Sequence, residues 1–150
     1  QNKGSILHAS NFSLGVHLFW NLSQKLAKLM NSRNEYKASI TETHHTEKLD
    51  HPSGTAITTA EILLKEQDDY AQWKLTEDDH PKEHILPITS QRTPHVPGIH
   101  EIKYESTIDC ISLTHEAKSR KGFALGAVIA AEWLLDKKGT YTMSDIINFT

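Results

Sequence analysis

Tyr36-Lys37-Ala38-Ser39-Ile40-Thr41-Glu42-Thr43 runs directly into His44-His45-Thr46-Glu47-Lys48-Leu49-Asp50-His51-Pro52-Ser53-Gly54. The first stretch alternates. Tyr36, Ala38, Ile40 and Glu42 fall on one face and Lys37, Ser39, Thr41 and Thr43 on the other, the pattern of a strand. The second stretch, 44–54, has neither the strand period nor the helical one and reads as a polar loop. Thr55 then opens a helix to about Lys65, with Ala56, Ala60, Leu63 and Leu64 inward. A strand, a loop and a helix in thirty residues define a layered α/β arrangement, and the flanking sequence extends it.

On the N-terminal side, residues 5–9 read as a short strand and Ser10-Asn11 as a turn or cap. Phe19, Leu22, Leu26 and Leu29, joined by Leu18 and Met30, recur at helical spacing until the polar run 31–34. On the C-terminal side, residues 66–84 are acidic and polar and read as irregular. His80-Pro81 breaks any helix there, while Trp73 argues for local packing. Residues 85–90 read as a strand, and Pro94, Pro97 and Gly98 punctuate a loop. Ile102, Tyr104, Ser106 and Ile108 alternate as a long strand. After a turn near Asp109, Ile111, Leu113 and His115 alternate as its hairpin partner. Gly122 to Asp136 is a helix with Phe123, Ala127, Ala130, Ala131 and Leu134 along one side. Met143 to Phe149 is a short helix that Ser144 would cap. The order β-α-β-α-β-β-β-α describes an α/β (α+β) fold, a mixed sheet with helices on one face.

Composition narrows the function classes. The chain has 150 residues, 23% charged and 37% hydrophobic, with a formal net charge of −3. That suits one domain and supplies no electrostatic case for nucleic acid. No apolar run approaches the ~18 residues of a membrane span. One cysteine, Cys110, rules out an internal disulfide and Cys-rich zinc sites; in its strand it reads as a buried structural thiol. The start Gln1-Asn2-Lys3-Gly4 has no Met and no signal peptide, which reads as a piece of a longer protein.

The chemistry is concentrated in residues 44–55. A histidine pair ends the strand, a lysine follows within one loop, and Pro52-Ser53-Gly54-Thr55 leads into a helix. The first-turn N–H groups with the Ser and Thr hydroxyls make an anion site. Lys48 near a bound anion can form a charge-assisted hydrogen bond and deliver a proton. Strand geometry points His44 and His45 to opposite faces, which gives them different roles. Each feature has a plainer counterpart: Ser53 as a helix cap, and Lys48 with Asp50 as a solvated charge pair. His44, His45, His51, His95, His100 and His115 supply many imidazoles, but there is no His-Glu-x-x-His pattern, and no metal is expected. Gly-x-Ser-x-Gly is absent as well. Trp20, Trp73 and Trp133 are most simply core or interface residues.

His44-His45-x-x-Lys48-x-Asp50-x-Pro52-Ser53-Gly54-Thr55-Ala56 resembles the signature of the 4-hydroxy-tetrahydrodipicolinate reductase family, formerly called dihydrodipicolinate reductases. Ala9-Ser10-Asn11-Phe12-Ser13-x-Gly15 resembles that family's hinge. Gly98-x-His100 and His115-x-Ala117-x-Ser119-Arg120-x-x-Phe123-Ala124-x-Gly126-Ala127 resemble its later segments. The resemblance implies residues 1–12 as the end of a dinucleotide-binding domain and hinge, and 13–150 as a substrate-binding and oligomerisation domain. It implies reduction of a cyclic dicarboxylated hydroxy-imine by NADPH or NADH in cytoplasmic lysine/diaminopimelate biosynthesis. His44 would be the proton donor/acceptor and Lys48 the proton donor. His45, Gly54 and Thr55 would bind substrate carboxylate, and Ala9, Ser10, Asn11 and Phe12 would touch the cofactor. Partners would be a small dicarboxylate and further copies of the chain in a homotetramer, with no nucleic acid and no membrane. The open sheet face would mediate that assembly, with apolar strand residues such as Ile102 and Tyr104 to cover. His51 and Pro94 depart from the family pattern, and no Gly-x-x-Gly phosphate loop precedes a helix. The competing reading is a non-catalytic oligomerisation or carboxylate-binding module.

Overall fold

Ala38, Ile40, Glu42 and His44 are all buried, and the residues between them are not. They belong to β2 (Lys37–His44), the middle strand of a five-stranded mixed sheet. The computed structural model describes residues 4–76 and 83–147; the expected features at His80-Pro81 and Phe149 lie outside them. The chain forms two units, Phe19–Lys118 and Gln1–Leu18 with Ser119–Thr150.

In the first of these units, β2 pairs in parallel with β4 (Ile85–Arg92), and β4 with β3 (Gln72–Leu75). On its other side β2 pairs antiparallel with β5 (Ile99–Glu105), and β5 with β6 (Cys110–Glu116). The register sets Ile40 beside both Ile88 and Ile102, and Glu42 beside both Ser90 and His100. Helix α2 (Gly54–Glu66) buries Ala56, Thr59, Ala60 and Leu63. Ser53 is its N-cap, accepting from the Ala56 N–H at 3.2 Å. Helix α1 (Leu14–Met30) enters this unit at Phe19, and Trp20 Nε1 donates to Thr59 Oγ1 at 3.1 Å.

Several sequence readings change here. The leucine period of α1 marks its outer side: Leu22 and Leu29 are 51% and 71% exposed. Phe19 and Met30 of that pattern are buried, and Trp20, Ser23 and Ala27 join them in place of the leucines, because small Ser23 and Ala27 allow close approach. The 66–84 stretch contains a strand, β3, whose four-residue alternation Gln72-Trp73-Lys74-Leu75 is masked by its acidic flank. β5 ends at Glu105, so Ser106 and Ile108 lie in the turn, which Ser106 closes through its bonds to Asp109. Ile102 and Tyr104 are fully covered and lie on the same face as Ile40 and Ala38. The opposite face presents Ser39, Thr41, Thr43, Glu101 and Lys103, so the open face is polar rather than apolar. Cys110 opens edge strand β6 and is exposed, not a buried thiol.

The other unit holds a second sheet, β1 (Ser5–Leu7) paired in parallel with β7 (Gly139–Tyr141), a strand the sequence reading lacked. Gly139-Thr140-Tyr141 has none of the aliphatic character that marks Ser5-Ile6-Leu7, so nothing in the segment itself signals a strand. Helix α3 (Lys121–Leu134) buries Ala130 of the expected stripe, half-buries Phe123 and Leu134, and exposes Ala127 and Ala131, with Gly126 buried in their place. Helix α4 (Met143–Ile147) is capped from Thr142, whose N–H and hydroxyl both reach Asp145 Oδ2, rather than from Ser144.

Gly126 faces the backbone of Phe12 so closely that a Cβ would stand 1.8 Å from the Phe12 carbonyl oxygen. Gly126→Ala should therefore destabilise the fold by about 1–3 kcal/mol or more in chemical denaturation; wild-type stability would disprove this contact.

Candidate active site

Strand alternation places Glu42 and His44 side by side on the buried face of β2. Glu42 Oε2 takes the His44 Nδ1 hydrogen bond. Glu42 Oε1 accepts from Arg92 Nη1 at 3.0 Å. Arg92 ends β4 and also donates to the Asp50 carbonyl at 2.6 Å and the Lys48 carbonyl at 3.3 Å. One guanidinium thus ties the buried carboxylate to the 44–54 loop. His100 of β5 stands edge-on to His44, ring centroids 5.0 Å apart. Its Nε2 lies 3.1 Å from Ser53 Oγ, at the start of α2.

His45, one residue past β2, departs from His44 as the alternation requires, and its Nδ1 meets Glu47 at 2.9 Å. Lys48 closes a turn by donating its N–H to the His45 carbonyl, and its Nζ meets Asp50 at 2.7 Å. The charge pair read from sequence is therefore present, in a loop where Asp50 is largely exposed. Gly54 and Thr55 form the first turn of α2, and a Cβ at Gly54 would meet open space. His44, Lys48, Gly54 and Thr55 are thus carried by one strand end, loop and helix start. His51 is exposed, before a cis peptide to Pro52. Pro94 is the second residue of a turn in which the Val96 N–H meets the Thr93 carbonyl, and His95 takes a positive φ of 65° after it. The Thr93 N–H holds the His44 carbonyl at 2.8 Å.

In the other unit, residues 9–12 connect β1 to α1. Asn11 Oδ1 accepts from the Ser13 N–H at 2.8 Å, and the Asn11 carbonyl meets His17 Nε2 at 2.7 Å. The segment proposed to meet a cofactor is thereby held in shape at both ends of Asn11, with the Gly126 contact fixing Phe12.

Burial alone would raise the Glu42 carboxyl, but His44, then Ser90 and the Arg92 guanidinium beside it, outweigh burial and hold the group at about 2. Burial, with His44 next to it, pushes His100 down to about 3, and burial lowers His115 as well. Glu42, His44 and His100 offer ligand atoms within 4.8 Å of one another. Both Glu42 oxygens already have partners, one of them a cation, so a metal there would meet Arg92 first. Glu42 and Arg92 went unrecognised as site residues from sequence. The available signal was a glutamate on the otherwise apolar face Ala38-Ile40.

A family model described as dihydrodipicolinate reductase, C-terminus, matches residues 15–147. The 4-hydroxy-tetrahydrodipicolinate reductase of Christiangramia forsetii is 51% identical over 144 residues, 96% of this chain and 59% of that protein. Its Archaeoglobus fulgidus counterpart is 38% identical over 151 residues, 97% of this chain and 58% of that protein. A solved structure, the dipicolinate-bound dihydrodipicolinate reductase from Paenisporosarcina sp. TG-14, superposes with a TM-score of 0.66 at 24% identity, covering 96% of this chain and 54% of that one. That likeness shows a shared fold. The class is thus an α+β domain that matches a C-terminal family model. The chain belongs to the dihydrodipicolinate reductase family, and it spans under three fifths of the length of these curated relatives.

The lowered His100 and Glu42 groups set an acid limit on stability. Between pH 6.5 and about 3 the unfolded chain binds a proton that folded His100 refuses, so stability falls as pH falls, by up to about 1.4 kcal/mol per pH unit. His115 acts in the same direction, and Glu42 adds a second loss between pH 4.5 and about 2. Denaturant titrations across pH should show this slope, flattened between pH 6.5 and 4.5 in His100→Asn. An identical slope in the variant would remove His100 as its source.

Proposed function

We propose that this chain is the substrate-binding part of a 4-hydroxy-tetrahydrodipicolinate reductase, acting with reduced NADP or NAD in lysine/diaminopimelate biosynthesis. One observation carries the reading: His44, Lys48 and the start of α2 converge on a single loop anchored by Arg92. A dicarboxylate needs cationic and N–H donors at its ends, and that loop supplies both. His45 with Gly54 and Thr55 binds a carboxylate, while His44 donates or accepts a proton and Lys48 donates one. Lys48 must first exchange Asp50 for substrate, which keeps its ammonium oriented until then. Residues 1–12 close a dinucleotide-binding domain and serve as hinge, with Ala9, Ser10, Asn11 and Phe12 toward the cofactor. Residues 13–150 form the substrate-binding and oligomerisation domain. When bound, the nicotinamide supplies hydride; the chain's own residues orient the ring and manage its protons. No structural metal is invoked. We place the enzyme in the cytoplasm, where reduced nicotinamide is available, as a homotetramer joined through the polar open face of the sheet. Among the described residues no helix is long and apolar enough to cross a membrane.

The test is turnover of the reductase carrying this chain, followed by oxidation of NADPH or NADH. Lys48→Ala should lower kcat by about 10²–10⁴-fold and weaken calorimetric binding of pyridine-2,6-dicarboxylate. Wild-type turnover in the variant would remove the role of Lys48. No turnover in the unaltered protein, with the dicarboxylate still bound, would favour the binding-module reading instead. Sedimentation at micromolar concentration should give a tetramer, and a monomer would overturn the assembly.

A further inference from the structure

The proposed function assigns no task to Glu42, yet its carboxylate has no solvent exposure and sits beside His44. We propose that Glu42, anchored by Arg92, is the positioning residue that fixes the His44 proton on Nδ1 and leaves Nε2 as the nitrogen that exchanges protons with substrate. This rests on the proposed function, since it assigns a partner to the proton donor/acceptor named there.

Three observations carry it. Glu42 is ionised, held at about 2, so both of its oxygens can only accept. Arg92 takes one oxygen and, having no acceptor, admits only an acceptor at that place. The second oxygen faces His44 Nδ1, which must therefore carry hydrogen. On the other side of the ring, Gly98 stands where a Cβ would come within 3.0 Å of Nε2, so the residue that flanks the working nitrogen is the one that crowds it least. The charged and titratable groups around His44 are accounted for. Glu42 shares its strand, and Arg92 reaches in from β4. His100, on β5, is neutral by burial and turns its Nε2 to Ser53. Lys48 and Asp50, in the loop, pair with each other. None of them competes with Glu42 for Nδ1. The backbone adds a second restraint, because the Thr93 N–H holds the His44 carbonyl.

The same geometry dictates what an amide would do. In Glu42→Gln the carbonyl oxygen must turn to Arg92, because a guanidinium cannot accept. The amide NH₂ then faces His44 Nδ1, which is forced to accept, and the proton moves to Nε2. The ring keeps its place with the wrong tautomer. Glu42→Asp retains two acceptor oxygens and should keep the native one.

The experiment combines kinetics with imidazole nitrogen NMR on the reductase carrying this chain. Long-range ¹⁵N–¹H spectra of the unaltered protein should show His44 protonated at Nδ1, and those of Glu42→Gln protonated at Nε2. Glu42→Gln should lose about 10²–10⁴-fold in kcat with KM little changed, and Glu42→Asp should recover a large part of that loss. A residue needed only for folding would instead lower the active fraction without reversing the tautomer or separating kcat from KM. An Nε2–H tautomer in the unaltered protein would overturn the proposal even if neither variant folds. So would wild-type kcat in Glu42→Gln. Absence of any reductase turnover in the unaltered protein, with the Nδ1–H tautomer present, would sink the proposed function and, with it, the proton-exchange role of Nε2.

Discussion

A carboxylate with no access to water must be compensated where it lies, and the Glu42 contacts organise this end of the sheet. Its two oxygens are served by residues of its own strand and of β4, and the register of β2 against both neighbours decides which side chains stand beside it. A slip of one residue would turn Glu42 and His44 to the open face and bring Thr43 inward. The ion pair therefore penalises any pairing but the observed one. Removing Arg92 or His44 alone would strand a buried charge, a loss usually larger than the net worth of the pair.

The loop inherits its shape from that pair. Arg92 also donates to the Lys48 and Asp50 carbonyls, so the backbone bearing the ammonium is fixed from β4. His100 passes the arrangement to Ser53, and Ser53 caps α2. Imidazole, ammonium and helix N-terminus are consequently held from the rigid sheet rather than by the loop itself, as precise positioning of reacting groups demands.

The departures from the family signature fit this frame. Pro94 occupies a turn position that suits its locked φ, and His95 accepts the left-handed conformation after it. The turn still delivers the Thr93 N–H to His44. His51 remains exposed and takes no part in the buried network.

By itself the sequence determined the β2–loop–α2 unit, the opposed directions of His44 and His45, and the likeness of residues 44–56 to a reductase family, because periodicity, capping and motif are local properties. It misjudged the exposed side of α1, where Leu22 and Leu29 carried the louder hydrophobic signal but small Ser23 and Ala27 permitted packing. It missed β3 and β7, whose pairing lies in the partner strand rather than in the segment. The network around His44 was decided only by tertiary structure. Arg92 lies 50 positions from Glu42 and His100 lies 47 from Ser53, and no spacing rule joins residues that far apart until the sheet sets them in register.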